Sequence, residues 1–479
     1  MKGLLIEDAE IGGARTNLRV RDGRIQALGS NLAREPGEAH LAAGGGALLP
    51  GLNDHHIHLF ALAAARSSLD CGPEACPDAD ALVRALDAAA ARAQQEGGAA
   101  IWVRGVGYHE SVAGDLDRHR LDAWAPRNPV RIQHRSGALW MLNSAALAAL
   151  GIADLDALPA GAERDERGQP TGRLHRLDGW LRSRIGTGDA PDLAPVGQAL
   201  ARLGVTGVCD ASPGNGPEEL ALFSRATLSG ALPQRLWLMG SPSLPAPDHP
   251  RIRRGAVKIM LDEDDLPSEN DLVARIREAH AQGRGVAFHC VTRAELVMAA
   301  HGLEQAGPGA LDRIEHASLA PPDAVEWLAR LGVTVVTQPN FLHERGDSYL
   351  KDVAAHDQPW LYRGRGFLDA GIPLGAGTDA PFGACDPWAA MRAAVQRATA
   401  SGQSMGAEEA LAPERALALF TSSLEAPGRA RRPLAAGQEA DLVLLDRPWQ
   451  DARSRLEPAH IRATLAHGEF IWGRDPKEG

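Results

Sequence analysis

PGLNDHHIHL, residues 50–59, is the stretch on which the fold assignment rests. An apolar run at 47–49 leads into a Pro-Gly break, and two histidines, His56 and His58, follow with one residue between them. On a β-strand, residues i and i+2 point to the same side, so both imidazoles can reach one metal ion. An isolated H-x-H pair is more often two surface or hydrogen-bonded histidines near a turn. Four matching features downstream favour metal binding here.

The bulk composition limits the class of protein. The 479 residues suffice for a large barrel and a smaller domain, with 44% hydrophobic and 23% charged residues, as in soluble globular proteins. The formal net charge of −11 argues against nucleic acid or an anionic membrane as a partner. No apolar run approaches the roughly 18 residues of a membrane span, and the N-terminus lacks a signal-peptide core. With only 5 cysteines, which we interpret as free thiols, we predict a cytoplasmic protein.

Both ends of the chain predict β-structure. Near the N-terminus, Asp22-Gly23 lies between two alternating segments, which is a strong hairpin signal. Three apolar segments near the C-terminus look similar: 440–446, 461–465 and 468–472. Because neither end alone has enough strands to bury a core, we predict one small β-sandwich built from residues 1–49 and 423–479.

Residues 50–422 alternate short apolar runs with helical stretches rich in Ala, Leu and Arg. The strand-like runs extend from 130–134 through 205–210 to 373–378, and the helical ones from 79–95 through 322–331 to 413–422. Such alternation favours a (β/α)8 barrel of the TIM type. A doubly wound sheet is the alternative, but no glycine-rich phosphate loop follows an early strand. The predicted fold class is therefore α/β: a TIM-like barrel, with a small β-sandwich built from the two chain ends.

Polar residues at the ends of the predicted barrel strands are the candidates for chemistry, because barrel active sites lie there. Lys258 stands inside the apolar run GAVKIML at 255–261, where an unpaired ammonium is costly. A lysine that extends its ammonium group to the surface, a salt bridge with Asp262 nearby, or a chemical modification would each remove that cost. Three further strand-like runs end in His289, His316 and Asp379. Each of these alone is more often a hydrogen-bonded core residue, but together they form a specific pattern.

The order H-x-H, Lys, His, His, Asp resembles the amidohydrolase superfamily of metal-dependent hydrolases, and the resemblance covers nearly the whole chain. Residues 18–29 resemble the opening β-segment of that superfamily, and GQEADLV at 437–443 resembles its closing one. GQPTG at 168–172 and LNSAAL at 142–147 are further similar to the branch called amidohydrolase family 3, which includes N-substituted formamide deformylases.

The resemblance implies a hydrolase that cleaves a C–N bond of a small-molecule amide, formamide or cyclic amide by attack of a metal-bound hydroxide. Asp379 would act as general base and then deliver the proton to the leaving nitrogen. The cofactors implied are two divalent metal ions, taken as zinc, and carbon dioxide as a carbamate on Lys258. The implied metal ligands are His56, His58, Lys258, His289, His316 and Asp379.

The same resemblance divides these ligands between two ions. His56 and His58 would bind the more buried metal together with Asp379. His289 and His316 would hold the second metal, and the carbamylated lysine would bridge the two ions. Many members of the branch carry a small residue where this chain has His55, and we assign His55 no ligand role.

Two alternatives stay open at this point. The first is a deaminase or an esterase-like relative with a single metal. Deaminase branches place a glutamate three residues after the third histidine, where this chain has Thr292. The second is a non-catalytic binding protein on the same fold. Loss of one or more ligands would be the mark of such a protein, and all six are present.

Substrate contacts and oligomeric state are also open. The Ala-rich segment 79–93 suits a homo-oligomer contact and packing within the chain equally well. Several polar residues after strand-like runs could line a pocket, with loop packing or salt bridges as an equally good account: Tyr108, His109, Glu110, 134–137, Arg173, His175, Gln338 and His343.

Overall fold

A computed structural model of the chain describes residues 3–96, 98–152, 158–185 and 190–473. The chain divides into two compact units. The first comprises Met1–Leu59 and Leu193–Gly479, and the second comprises Phe60–Asp192. Across the described ranges, none of the helices combines the length and apolar character that crossing a bilayer requires. Domain limits at 49/50 and 422/423 stay a prediction.

A sheet of eight parallel strands forms the core of the first unit. Its strands, in sheet order, are β6 (Leu52–Ile57), β13 (Val205–Asp210), β14 (Arg235–Gly240), β15 (Ile252–Met260), β16 (Val286–Cys290), β17 (Arg313–His316), β18 (Thr334–Thr337) and β19 (Leu374–Ala376). Every residue of β6 and β13 is buried. This explains why apolar and polar residues do not simply alternate along these two strands.

The barrel is nearly closed where its first and last strands meet. Just beyond β19, the backbone nitrogen of Asp379 donates to the carbonyl of His56 at 2.8 Å. The nitrogen of His58 donates to the carbonyl of Ala380 at 2.9 Å. The prediction of a TIM-like barrel of eight parallel strands is confirmed.

Helices follow most of these strands, as the Ala- and Leu-rich stretches predict. Those of the first unit are α7 (Ala194–Arg202), α8 (Pro217–Leu228), α9 (Glu269–Ala281), α10 (Arg293–Ala306), α11 (Pro322–Leu331), α12 (Asn340–Asp352), α13 (Arg365–Asp369), α14 (Pro387–Gln396), α15 (Pro413–Thr421) and α16 (Trp449–Ala452). The bounds predicted for α11 coincide with those in the structure, where Pro322 opens the helix and Gly332 ends it in a left-handed conformation.

The two chain ends form two four-stranded sheets. One has the order β3 (Arg24–Leu28), β2 (Ala14–Arg21), β1 (Leu4–Ile11), β4 (Ala39–Ala42), and the other β22 (Glu469–Gly473), β21 (Ile461–Ala466), β20 (Leu442–Leu445), β5 (Leu48–Pro50). Apolar residues of both sheets belong to one buried cluster that includes Leu18, Leu442 and Leu465. Asp22 and Gly23 both have positive φ in the two-residue turn between β2 and β3, as the hairpin signal predicts.

Asp441 ties the C-terminal sheet to the barrel. Its carboxylate accepts hydrogen bonds from the guanidinium of Arg235 on β14 and from that of Arg432, and its second oxygen accepts from the backbone nitrogen of His467 at 2.8 Å. The Asp441 side chain is 1% exposed. Burial opposes ionisation, but the two arginines outweigh it and lower the pKa of the carboxyl group.

The second unit is built on a six-stranded mixed sheet. Its order is β11 (Ala162–Arg164), β12 (Pro170–His175), β10 (Leu139–Leu142), β9 (Val130–His134), β8 (Val103–Tyr108), β7 (Leu69–Asp70). Its helices are α1 (Leu59–Arg66), α2 (Ala79–Glu96), α3 (Glu110–Ala113), α4 (Arg118–Trp124), α5 (Ser144–Ala149) and α6 (Asp178–Ile185). The run 130–134 is a strand, but it pairs in this sheet and not in the barrel. Local alternation predicts a strand without specifying which sheet it joins.

Candidate metal centre

Barrel strands carry all six predicted ligands at or near their C-terminal ends. His56 lies on β6 and His58 follows it, and Asp379 follows β19. The remaining three lie on three successive strands: Lys258 on β15, His289 on β16 and His316 on β17. Because parallel strands of a barrel end at the same edge, residues far apart in sequence meet there.

Two imidazoles converge on the carboxylate of Asp379. Its Oδ1 atom lies 3.5 Å from Nε2 of His56 and 3.2 Å from Nε2 of His58. Ligand atoms of His56, His316 and Asp379 all lie within 4.8 Å of one another. The ring of His289 lies edge-on to that of His316, with 4.5 Å between the ring centroids.

In three of these histidines the Nδ1 atom contacts a neighbouring side chain. That of His56 lies 2.5 Å from Oε2 of Glu315, and that of His58 lies 3.0 Å from Oγ of Ser212. Nδ1 of His316 donates to Oε1 of Gln338 at 2.7 Å. Partners of this kind leave Nε2 free to bind a metal and set the orientation of each ring.

The residues present fit a cation. Among the buried polar atoms that lack a hydrogen-bond partner in the described part of the chain, three lie in this cluster: Nζ of Lys258, Nε2 of His316 and Oδ1 of Asp379. Nearly all buried polar atoms in native proteins have a partner, so three such atoms in one cluster indicate a missing ligand. Imidazole nitrogens and a carboxylate are the donors that zinc and similar ions take.

Lys258 is 5% exposed and makes no salt bridge to Asp262 within the described part of the chain. Burial lowers the pKa of its ammonium group, against the opposing attraction of Glu315 and Asp379.

Electrostatics keep the imidazoles neutral and the aspartate ionised. Burial lowers the pKa of His316 to about 3, and it also lowers the pKa of His56 and of His289. For Asp379 burial acts the other way, but the nearby rings of His56, His58 and His316 hold the pKa of the carboxyl group well below its usual value. Neutral imidazoles beside a carboxylate are the protonation states that metal binding requires.

Sequence comparison identifies the protein at the level of its family. The Amidohydro_3 model, described as the amidohydrolase family, matches residues 41–472. The chain belongs to the amidohydrolase family. The resemblance inferred from the H-x-H, Lys, His, His, Asp order is therefore confirmed, and family membership supports a hydrolase that acts on C–N bonds.

Relatives align with this amidohydrolase over almost their full length. The N-substituted formamide deformylase of Arthrobacter pascens is 26% identical over 521 residues, which cover 95% of this chain and 94% of that protein. The putative amidohydrolase YtcJ of Bacillus subtilis strain 168 is 23% identical and covers 98% of both chains. An uncharacterized metal-dependent hydrolase from Pyrococcus horikoshii OT3 has the same fold, with a TM-score of 0.73 at 21% identity over 98% of this chain and 99% of that one.

Three residues that contact the predicted ligands of the amidohydrolase were not singled out for this role from sequence: Ser212, Glu315 and Gln338. Of these, Glu315 had a usable signal. Arg313 and Glu315 place two charges inside the buried strand β17, and a charge within an apolar strand is the pattern that singled out Lys258. Ser212 and Gln338 are ordinary loop residues in sequence, and only the fold shows their contacts.

His55 and Thr292 have structural roles. Nε2 of His55 lies 3.1 Å from Oγ of Ser422, and burial lowers the pKa of His55 to about 3. Thr292 caps α10 in a reciprocal pair with Glu295, so the position where deaminase branches carry a glutamate is a helix N-terminus here.

The backbone is left-handed at two of the predicted ligands. His316 has φ 68° and Asp379 has φ 56°, at the points where the chain leaves β17 and β19. Non-glycine residues adopt such φ values at a cost of about 1–2 kcal/mol each, and these conformations persist where surrounding contacts hold them.

The other candidate pocket residues make polar contacts of their own. In the second unit, Oε2 of Glu110 lies 3.2 Å from Nε2 of His134, and Arg173 forms a 3.0 Å ion pair with Glu163. In the first unit, Nδ1 of His343 lies 3.3 Å from the carbonyl of Ala398. A role of these residues in substrate binding stays a prediction.

Proposed function

We propose that this amidohydrolase uses two divalent metal ions, zinc in the first instance, to hydrolyse the C–N bond of a small amide, formamide or cyclic amide. One observation carries the proposal: the Nε2 atoms of His56 and His58 converge on Oδ1 of Asp379, at 3.5 and 3.2 Å. The similarity to a protein named N-substituted formamide deformylase favours formamides among these substrates.

The proposed ligand sets follow the positions of the side chains. His56, His58 and Asp379 would hold one ion, and His289 and His316 would hold the second. Bound there, the ions would act as Lewis acids that polarise the substrate carbonyl and lower the pKa of the attacking water.

Lys258 would complete the centre after reaction with carbon dioxide. Because burial lowers the pKa of its ammonium group, a larger fraction of this lysine is the neutral amine at a given pH than for an exposed lysine. The amine nitrogen would add to carbon dioxide and lose a proton, which gives a carbamate. The carbamate would be an anionic group able to hold a metal ion, at a position where the amine has no hydrogen-bond partner in the described structure.

Asp379 is the proposed general base. The pKa of its carboxyl group lies well below the usual value, so the group is ionised at neutral pH and can accept a proton. It would accept a proton from water as the oxygen attacks the carbonyl carbon. The same proton would then pass to the nitrogen as the C–N bond breaks, so the leaving group departs as a neutral amine.

A centre with one metal is the second candidate. The ligand atoms of His56, His316 and Asp379 lie within 4.8 Å of one another, close enough for a single ion. Deamination at such a centre is disfavoured by Thr292, whose side chain caps α10.

The test is the metal content of protein purified without chelators and with bicarbonate, together with turnover of N-substituted formamides and simple amides. About two equivalents per chain and turnover that is lost on chelation and restored by metal would support the proposal. One equivalent would favour the single-metal centre. If no metal binds even on reconstitution, both the two-metal and the single-metal centre would be contradicted. That result would support a non-catalytic binding protein.

A further inference from the structure

Glu315 is a buried carboxylate beside the candidate metal centre. It precedes His316 on β17, and its side chain is 0% exposed. Oε2 accepts from Nδ1 of His56 at 2.5 Å, and Oε1 accepts from Nε of Arg313 at 2.5 Å. Arg313 also donates from Nη2 to the carbonyl of His55 at 2.8 Å, so the carboxylate is held between a histidine and an anchored guanidinium.

The three anchored histidines differ in the charge of their Nδ1 partner. His56 donates to a carboxylate, whereas His58 contacts a hydroxyl group and His316 donates to a neutral amide. A charged acceptor polarises an imidazole more strongly than a neutral one and raises the basicity of the opposite nitrogen. We therefore expect Nε2 of His56 to bind a metal ion more strongly than Nε2 of His58 or His316.

The ion pair with Arg313 makes Glu315 a partner of a ligand and not a ligand itself. Both carboxylate oxygens already accept hydrogen bonds, Oε1 from Nε and Oε2 from Nη2 of Arg313, the latter at 3.1 Å. These hydrogen bonds fix the carboxylate in place beside His56.

We infer that Glu315 is a positioning residue that holds His56 in the tautomer with hydrogen on Nδ1 and thereby strengthens retention of the metal ion at His56. This inference rests on the proposed metal centre. It assigns a role to the Arg313–Glu315 pair, which otherwise would be a buried ion pair of uncertain benefit to stability.

The experiment compares metal affinity by chelator competition, and the visible spectrum of the cobalt-substituted protein, in wild type and Glu315→Gln. Glutamine keeps the size of the side chain and removes its charge. In Glu315→Gln we expect the more tightly bound metal ion to bind about 10–100-fold more weakly than in wild type. We also expect the absorption bands of the cobalt-substituted protein to shift. Circular dichroism and thermal melts of the metal-free proteins would establish that each variant is folded.

Two further variants separate positioning from stability. Glu409→Gln is the matched control, because Glu409 is also buried and paired with an arginine, Arg363, at 2.7 Å. Its other partners are the backbone nitrogens of Gly364 and Gly366 at the start of α13. We expect it to lose stability without losing metal affinity. The double variant Arg313→Met with Glu315→Gln avoids an unpaired buried guanidinium and should bind metal as weakly as the single variant.

The outcomes are distinguishable. If wild type binds metal and both Glu315 variants bind it within threefold of the wild-type affinity, the inference is overturned while the proposed function stands. A loss of affinity in Glu409→Gln equal to that in Glu315→Gln would also overturn it, because general destabilisation would then explain both. If wild type itself binds no metal, the proposed function fails first.

Discussion

Asp54 and Thr378 are joined by two hydrogen bonds: the carboxylate of Asp54 accepts from Oγ1 of Thr378 at 2.5 Å and from its backbone nitrogen at 3.0 Å. Asp54 lies on β6 and Thr378 follows β19, so these bonds connect the strands at which the barrel closes. His56 is two residues from one partner and Asp379 is adjacent to the other. The pair therefore controls the separation of two predicted metal ligands.

Thr378→Val is expected to lower the free energy of unfolding by about 1–3 kcal/mol, because it leaves the buried Asp54 carboxyl group short of a donor. Metal content should fall as well, since the backbone beside Asp379 loses this restraint. Urea denaturation and metal analysis would measure both effects. Thr337→Val is the control: the Thr337 hydroxyl is buried without a hydrogen-bond partner in the described structure, so its loss should be neutral or slightly stabilising.

Lys258→Ala should reduce metal content and lower turnover by roughly 100-fold or more, because it removes the proposed bridging ligand. Lys258→Glu would restore a carboxylate, on a shorter side chain, and should recover part of the metal content. Lys351→Ala, which alters an exposed lysine, serves as the control. Unchanged activity in Lys258→Ala would remove the carbamate from the mechanism.

Asp379→Asn should keep the fold and lose roughly 10²–10⁴-fold in kcat when assayed with excess metal, because an amide cannot accept the proton. Excess metal separates this effect from weaker metal binding. A near-normal rate would mean that another group transfers the proton. Circular dichroism would verify that the variant is folded.

Asp441 predicts a dependence of stability on pH. Its pKa is lower in the folded state than the usual value of 3.8, so its contribution is present above about pH 4 and is lost as pH falls through the folded-state pKa. Asp441→Asn should therefore lower the free energy of unfolding at pH 7, by about 2–4 kcal/mol, with a smaller deficit at pH 3. Urea denaturation of both proteins at the two pH values would measure it.

The control for Asp441 is Asp369→Asn. Asp369 forms an exposed ion pair with Arg365, with 61% and 60% of the two side chains exposed, and should change stability by less than about 0.5 kcal/mol at either pH. A deficit in Asp441→Asn that stays constant or grows on acidification would contradict the assigned ionisation.

Local sequence pattern predicted the repeating elements of the barrel well. The limits of 205–210 and 322–331 match β13 and α11, because buried apolar runs, proline and glycine act within a few residues. The same signals placed 130–134 in the barrel, whereas it belongs to the six-stranded sheet of the second unit. Strand partners are chosen by tertiary packing, which the local pattern does not contain.

The candidate ligands could be predicted because each stands out chemically at a strand end. Their partners could not be paired with them, since the fold alone brings Glu315 to His56 across 259 positions and Ser212 to His58 across 154. Serine and glutamine are common in loops. Nothing local distinguishes Ser212, and Gln338 stands out only as a polar residue after a strand-like run. Glu315 could have been noticed as a charge in a buried strand, but its partner could not.

The left-handed backbone at His316 and Asp379 has a consequence for engineering. Glycine relieves a positive φ without a steric penalty, so His316→Gly or Asp379→Gly would remove a local cost of about 1–2 kcal/mol along with the side chain. A selection for heat resistance carried out on protein stripped of metal would thus reward the loss of these side chains. Stabilisation of this chain should be pursued with metal supplied and with turnover as a second filter.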